Sequence, residues 1–289
     1  MLVDIGGSVA YTDHGGSGPP VMLVHGLAGS QQNWMLVASP IAEAGYRVST
    51  LDLAGFGATP LAGRESTLET NRRIVDGLIN YLGQGPAVLV GHSMGGLIAM
   101  MQAGTNPESV SRLVLLDPAV PLAHISPMKP LPEGFVKAIA QAPRFGAALA
   151  TGLAKLGGPE RLVKDALRQY CFDASQLDSR LVDALVKGER DRIARGHAYV
   201  GYMQAYKSML IRLRLVEAYD QEVVMKVKAP TLLVAGAADA LTPTQFIRRL
   251  AGVRPDWTYK EMDGVGHNPQ MEAPDRFTTL LLDWLAARR

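Results

Sequence analysis

Cysteine is almost absent from this sequence of 289 residues, in which Cys171 is the only one. One cysteine cannot form an intrachain disulfide, and without a CxxC partner it does not indicate a cysteine-based metal site. Long hydrophobic runs are lacking too, because no uninterrupted apolar stretch reaches the roughly 20 residues that span a bilayer. The N-terminus shows no basic stretch followed by an apolar run, so we expect no signal peptide and a cytoplasmic protein.

Strong charge of either sign is also missing. The formal net charge is +2, and charged residues make up only 19% of the chain. No run of Lys and Arg with interleaved aromatic residues indicates a nucleic-acid groove. P-loop and HExxH patterns are absent, and Pro60 stands where a dinucleotide fingerprint beginning at Gly55 needs its third glycine. We therefore expect a small-molecule substrate, with no nucleic acid and no metal.

Short apolar runs alternate with helical patterns over most of the chain. Hydrophobic residues make up 47% of it, enough to bury a sizeable core. The runs are VMLVHG (21–26), RVSTLD (47–52), AVLVGHS (87–93), RLVLLD (112–117) and TLLVAG (231–236). Runs of this length suit strands covered on both faces, and the helical patterns are at 66–82, 94–105 and 269–287. The alternation predicts an α/β fold with a doubly wound, parallel sheet.

Residues 121–226 interrupt this rhythm and read as helical throughout, with Pro and Gly breakers. They contain 16 Lys and Arg against 11 Asp and Glu. We expect a helical cap, or lid, folded over the carboxyl edge of a core domain made of residues 1–120 and 227–289. The positive balance indicates a solvated face, and a mild preference for anionic substrates is the alternative interpretation.

The most specific motif is GHSMGG at residues 91–96, between an apolar run and a helical stretch. This is the strand–turn–helix context that G-x-S-x-G requires. The serine sits on a sharp turn, and glycine at 91 and 95 removes side chains that would clash with the strand and the helix. Ser93 is therefore the predicted nucleophile, and an ordinary glycine-rich loop is the alternative.

Attack by a serine places negative charge on a carbonyl oxygen, and two fixed N–H donors must stabilise it. The backbone N–H of Met94 is one candidate, because it follows the nucleophile at the start of a helix. The loop HGLAG at 25–29 supplies the other, which we assign to the Leu27 N–H. His25 is expected to brace this loop. The residues predicted to contact substrate are Gly26, Trp34 and His92, with helix packing as the alternative for the tryptophan.

A serine nucleophile needs a base, which is itself oriented by an acid. In the chain order Ser, acid, His, only His124, His197 and His267 can be the base. His267 is preferred, because it lies in GVGHNP (264–269), a glycine-flanked loop before the last helix. Asn268 suits the cap position of that helix and Pro269 its first residue.

The orienting acid should end a strand between Ser93 and His267. Asp239 follows the run TLLVAG closely and is the preferred acid. Asp117 also ends an apolar run and is the main rival. Asp263 is too close to the loop of the histidine to be a comfortable partner.

Taken together, these motifs resemble the α/β-hydrolase superfamily over nearly the whole chain. They are HG (25–26), DLAGFGAT (52–59), GHSMGG (91–96), GAAD (236–239) and GVGH (264–267). The resemblance implies an eight-stranded, mostly parallel sheet with helices on both faces and an inserted cap. It also implies a Ser93–His267–Asp239 triad without a cofactor. Thr59 departs from the serine that many relatives carry there, which should affect only local turn geometry.

The resemblance also limits the chemistry. Haloalkane dehalogenases and epoxide hydrolases of this superfamily use a carboxylate nucleophile, and Ser93 argues against both. We expect a carboxylesterase or lipase-like enzyme that cleaves esters of small or medium apolar acyl groups through an acyl-enzyme. Carbon–carbon hydrolases of ring-cleavage products and cofactor-free perhydrolases or haloperoxidases are enzymatic alternatives. A non-catalytic ligand receptor on the same fold is the third reading.

Overall fold

A computed structural model of the chain describes residues 1–121, 152, 156–195 and 199–287. Within them the strands are β1 (Leu2–Asp4), β2 (Ser8–Asp13), β3 (Pro20–Val24), β4 (Arg47–Leu51), β5 (Ala87–His92), β6 (Val110–Leu116), β7 (Thr231–Gly236) and β8 (Thr258–Met262). They form one sheet in the order β1-β2-β4-β3-β5-β6-β7-β8. β2 is antiparallel to both β1 and β4, and the other neighbours are parallel. The eight-stranded, mostly parallel sheet is thus confirmed.

The five apolar runs of the sequence form β3 to β7. Every residue of β5 and β7 is buried, as expected for strands with both faces covered. The two antiparallel strands at the edge, β1 and β2, are not among the predicted runs. β1 has only three residues, two of them exposed, and β2 is half-buried or exposed at both ends, so neither has the continuous apolar signal of the inner strands.

Helices cover both faces of the sheet. In chain order the described α-helices are α1 (Ala38–Glu43), α2 (Leu68–Leu82), α3 (Met94–Thr105), α4 (Pro159–Tyr170), α5 (Ser179–Ala194), α6 (Val200–Arg212), α7 (Val216–Glu222), α8 (Thr244–Val253), α9 (Pro269–Glu272) and α10 (Pro274–Ala286). Successive strand residues enter different apolar clusters: Leu89 packs with α2, α3 and α8, while Val88 and Val90 pack with α1 and α10. The sheet is therefore doubly wound.

The last predicted helix, 269–287, is two helices in the structure. α9 ends at Glu272 and α10 begins at Pro274, with Ala273 between them in a non-helical conformation (φ −141°, ψ 58°). Proline has no N–H to donate within a helix and favours the first helical turn, which explains the break. Asn268 does stand at the cap position of α9, but its side chain makes no capping hydrogen bond.

The helices α4 to α7 lie between β6 and β7, in the range predicted as a cap. We call the described residues between 121 and 226 the helical insertion. Its Leu167, Cys171 and Leu181 form a small apolar cluster with Met271 of α9, so the insertion contacts the end of the chain. The rival bases His124 and His197 lie outside the described residues. None of the described helices is long and apolar enough to cross a membrane.

Candidate active site

Ser93 occupies a single-residue turn between β5 and α3. Its φ of 52° and ψ of −119° are disfavoured for any residue with a side chain. The turn is held on two sides, because the Ser93 N–H donates to the Leu116 carbonyl (2.9 Å) and the Ser93 carbonyl accepts from the Ala119 N–H (3.0 Å). The side chain is half-buried, whereas its neighbours His92 and Met94 are buried. The sequence therefore folds so that one hydroxyl remains accessible at the end of the central strand.

Glycines allow this turn to pack closely. A β-carbon on Gly91 would lie 2.4 Å from the Gly95 carbonyl oxygen, and one on Gly95 would lie 2.4 Å from the Val24 carbonyl oxygen. Both distances are shorter than real side chains tolerate, so the steric reason proposed for these glycines is confirmed. Gly26 lies against the nucleophile turn, since a β-carbon there would be 3.1 Å from the Ser93 β-carbon.

The loop after β3 passes beside Ser93 and is braced by His25. This buried ring donates from Nδ1 to the Gly26 carbonyl (2.7 Å) and accepts at Nε2 from the Leu53 N–H (3.0 Å). Ala28 in the same loop has a φ of 62°, which turns the chain back sharply. The Leu27 and Met94 amides, predicted as oxyanion donors, take part in none of the described backbone hydrogen bonds. Met94 is the first residue of α3, where helical amides lack an intrahelical acceptor.

His267 and Asp239 meet directly. His267 Nδ1 donates to Asp239 Oδ2 at 2.7 Å, and both side chains are buried. The other oxygen, Asp239 Oδ1, accepts from the backbone N–H groups of Leu241 (2.7 Å) and Thr242 (2.9 Å). A proton on Nδ1 leaves Nε2 of the imidazole as an acceptor. The pair is thus arranged as a base and its orienting acid.

Asp117, the rival acid, is adjacent but makes a different contact. Its carboxyl accepts from the Gly236 N–H (3.0 and 3.1 Å), and it is fully buried at a φ of 39°. Burial, and then the nearby Asp239 carboxylate, hold the pKa of Asp117 well above its usual range. Each of Asp117, Asp239 and His267 offers one atom that could bind a metal, and these three atoms lie within 4.8 Å of one another. Since His267 and Asp239 already bond each other, this set does not fit a metal ion.

His92 links the strand of Ser93 to the loop of His267. Its Nε2–H donates to the His267 carbonyl at 2.7 Å, and the two ring centroids are 4.9 Å apart. Burial, followed by the proximity of His267, lowers the pKa of His92 to about 3, so the ring is neutral at neutral pH. Among the described residues, the Ser93 hydroxyl and His267 make no hydrogen bond to each other. Such bonds are often long without substrate and tighten when it binds.

The predicted substrate contacts lie in different surroundings. Gly26 borders Ser93, and His92 lies beneath it with its Nε2 occupied. Trp34 is fully buried in the apolar cluster that α1 and α10 form against the sheet. That position favours the packing role for Trp34, and contact of the three residues with substrate stays a prediction.

The helical insertion approaches the loop at 25–29 with a polar group that the sequence analysis missed. Arg192 donates to the Ala28 carbonyl (3.4 Å) and forms an ion pair with the buried Glu189. Glu189 also accepts from the Tyr199 hydroxyl (2.6 Å), and the Arg192 guanidinium lies 5.6 Å from the Tyr199 ring centroid. The spacing of the ion pair, three residues apart on α5, is the signal that could have identified it.

Comparison with known proteins places these features in context. A family model described as "alpha/beta hydrolase fold" matches residues 19–274. The chain is 28% identical to 2-hydroxy-6-oxononadienedioate/2-hydroxy-6-oxononatrienedioate hydrolase 2 of Pseudomonas putida, covering 95% of this chain and 90% of that protein. It is 28% identical to 2-hydroxy-6-oxo-6-phenylhexa-2,4-dienoate hydrolase of Burkholderia cepacia, covering 96% and 91%. A thermophilic esterase from Thermogutta terrifontis superposes with a TM-score of 0.72 at 25% identity, covering 97% and 93%.

Proposed function

Because this chain belongs to the alpha/beta hydrolase family, we propose that it is a serine hydrolase with Ser93, His267 and Asp239 as its catalytic triad. The observation that carries the proposal is the buried bond from His267 Nδ1 to Asp239 Oδ2, which fixes the imidazole as an acceptor at Nε2. The strained, half-buried Ser93 supplies the hydroxyl. A ligand receptor would not require these three side chains in this arrangement.

The proposed reaction passes through an acyl-enzyme. Ser93 Oγ attacks the substrate carbonyl while His267 Nε2 takes its proton, and Asp239 stabilises the imidazolium that forms. The Leu27 and Met94 N–H groups hold the oxyanion. His267 then returns the proton to the leaving group, and a water molecule activated by the same base releases the acid.

We propose carboxylic esters of small or medium apolar acyl groups as the first substrate class. Arg192 is the insertion's cation at the loop 25–29, and Glu189 compensates its charge. A neutral acyl group therefore meets no unpaired charge from the described residues of the insertion at this loop, and burying a charged group would carry a desolvation cost. The resemblance to a solved esterase supports this choice at the level of the fold and family.

Cleavage of a carbon–carbon bond in a ring-cleavage product is the second candidate. It is favoured by the names of the relatives from Pseudomonas putida and Burkholderia cepacia, which match across nearly the whole chain. In this case the carboxylate of the substrate would replace Glu189 as the partner of Arg192. We further propose that the helical insertion is the cap over the site, that residues 1–120 and 227–289 form the core domain, and that the enzyme works in the cytoplasm.

Substrate panels and an active-site probe test these proposals together. The wild type and Ser93→Ala are assayed with p-nitrophenyl esters whose acyl chains have about two to twelve carbons. Both are also assayed with a 2-hydroxy-6-oxo-dienoate, whose cleavage is measured as the loss of its visible absorbance. Turnover of short and medium esters that Ser93→Ala abolishes supports the esterase, and preference for the dienoate supports the second candidate. If a fluorophosphonate leaves Ser93 unlabelled in the folded wild type, the serine hydrolase proposal is wrong.

A further inference from the structure

Glu272 at the end of α9 accepts hydrogen bonds from three backbone amides, which belong to two parts of the chain. Its Oε2 accepts from the N–H groups of Phe172 (2.7 Å) and Gly266 (2.9 Å), and its Oε1 accepts from the Asn268 N–H (2.9 Å). Gly266 and Asn268 flank His267 on both sides, while Phe172 belongs to the helical insertion. One carboxylate therefore joins the loop 266–268 to the insertion.

The backbone of His267 takes part in the same contact. Its N–H donates to the Tyr170 carbonyl at 2.8 Å. A β-carbon on Gly266 would lie 2.7 Å from both the Phe172 nitrogen and the Tyr170 oxygen, so main chain packs on main chain with no side chain between. The segment 170–172 and the loop 266–268 thus form a defined interface, which we call the loop–insertion contact.

The charge of Glu272 makes this contact strong. Hydrogen bonds to a charged group are roughly twice as strong as those between neutral groups. Burial, and then the nearby Glu272, raise the pKa of the neighbouring Cys171 thiol to about 12. The thiol is therefore uncharged at neutral pH, and it is not a second anion that could replace Glu272 as the acceptor of these amides. Its sulfur instead accepts weakly from the Asn268 side chain at 3.6 Å.

We propose that Glu272 is a positioning residue for His267, and that it acts by locking the loop 266–268 to segment 170–172 of the insertion. His267 then reaches its working position only while the insertion is docked. The inference rests on the proposed function, in which His267 is the base. Glu272 bonds to backbone amides and contacts none of the proposed reacting atoms. Its effect on catalysis therefore passes through the position of the His267 imidazole.

Displacement of a catalytic group by about 1 Å can reduce the rate by roughly 100-fold. Glu272→Leu removes both acceptor oxygens, and we expect kcat to fall about 100-fold with KM changed less than threefold. Glu272→Gln keeps one oxygen, so it can satisfy the Phe172 and Gly266 amides while its NH2 group faces the Asn268 amide. We expect an intermediate loss of about 10-fold. Loss of folded protein would also lower the apparent kcat at constant KM, so each kcat is calculated per mole of folded enzyme.

Glu69→Gln is the matched control, because Glu69 is also a multiply bonded carboxylate but binds Arg72 and Arg73 on α2. We expect its kcat to stay within twofold of the wild type. Melting temperatures establish that each variant is folded. If folded Glu272→Leu keeps kcat within twofold of the wild type while Ser93→Ala is inactive, the positioning role is refuted and the proposed function stands. If Ser93→Ala keeps its activity, the proposed function itself has failed.

A second pair of variants decides the matter should Glu272→Leu fail to fold. Phe172→Pro deletes one N–H donor, and Cys171 before it already has the extended φ of −95° and ψ of 151° that a following proline favours. Phe172→Ala removes only the exposed ring and keeps the donor. We expect Phe172→Pro, and not Phe172→Ala, to lower kcat about 10-fold.

Hydrogen exchange gives a readout that does not depend on activity. Peptides covering 168–174 and 264–272 are followed by mass spectrometry in the wild type and in Phe172→Pro. If the insertion holds the loop 266–268, Phe172→Pro should accelerate hydrogen exchange at least fivefold in both peptides. Acceleration in 168–174 alone, with 264–272 unchanged, would show that the insertion does not hold the loop and would overturn the inference.

Discussion

Replacing Asp239 by Asn is expected to disable the site by reversing the tautomer of His267. Asp239 Oδ1 accepts two backbone N–H groups, and Oδ2 accepts the His267 Nδ1–H. The oxygen of an asparagine will stay with the two amides, because the opposite orientation would set its NH2 group against both donors. The NH2 group then donates to His267 Nδ1, and the ring proton moves to Nε2. An imidazole protonated at Nε2 cannot accept the proton of Ser93.

The expected loss follows from this change of tautomer. A triad whose histidine is held in the wrong tautomer loses roughly 10⁴ in kcat, which corresponds to about 5.5 kcal/mol of activation free energy. KM for a neutral ester should change little, because Asp239 is buried behind His267. Stability should be nearly unaffected, since three hydrogen bonds at this position are kept. The assay is steady-state hydrolysis of a p-nitrophenyl ester, with urea unfolding as the check on folding.

Asp117→Asn is the matched control at the neighbouring buried carboxyl. Burial and the nearby Asp239 carboxylate raise the pKa of Asp117 and so disfavour its charged form, and asparagine can still accept from the Gly236 N–H. We expect kcat to fall less than about 10-fold. Equal losses in the two variants, or a loss below 10-fold in Asp239→Asn, would refute the assignment of Asp239 as the orienting acid.

Three further predictions concern stability and reactivity. Gly95→Ala forces a β-carbon to within 2.4 Å of the Val24 carbonyl oxygen, so urea unfolding should show a loss of about 1–3 kcal/mol, and an unchanged midpoint would contradict the steric argument. His92 has a pKa of about 3 when folded and about 6.5 when unfolded, so the unfolded state binds more protons below pH 6.5. Between pH 6.5 and 4.5 the wild type should therefore lose more stability than His92→Gln, by up to about 1.4 kcal/mol per pH unit, and parallel losses would show that His92 is not responsible. Cys171, with a pKa of about 12, should react with a thiol reagent at pH 8 only after unfolding, and rapid labelling of the native protein would contradict its burial.

Much of the sheet can be predicted from the sequence, because its inner strands carry a continuous signal. The run TLLVAG becomes β7 with identical bounds, and the run at 87–93 becomes β5 with one residue fewer. The edge strand β1 and its neighbour β2 cannot be predicted in the same way, because their three and six residues are partly exposed and give no distinctive pattern. Pro274 divides the last helix, although its position alone could have indicated the break.

The candidate site divides in a similar way. Ser93 and its glycines can be predicted, because a tight strand–helix turn imposes a local spacing that the sequence preserves. The choice between Asp117 and Asp239 depends on which carboxyl reaches His267, and only the packing of β6 against β7 determines that. The roles of His92 and Glu272 depend on backbone partners 175 and 100 residues away in the chain, which no spacing rule reports.

The loop–insertion contact has a consequence for how this enzyme could be altered. Apart from the weak bond between the Asn268 side chain and the Cys171 sulfur, the insertion meets the loop 266–268 through the main-chain atoms of Tyr170 and Phe172, which any amino acid except proline at 172 can supply. Side chains on α4 and α5 other than Leu167 and Leu181, which pack with Met271, can consequently be exchanged without disturbing the contact that positions His267. Libraries that vary those helices while keeping Glu272 and Gly266 should yield variants with new substrate selectivities and an unchanged catalytic triad.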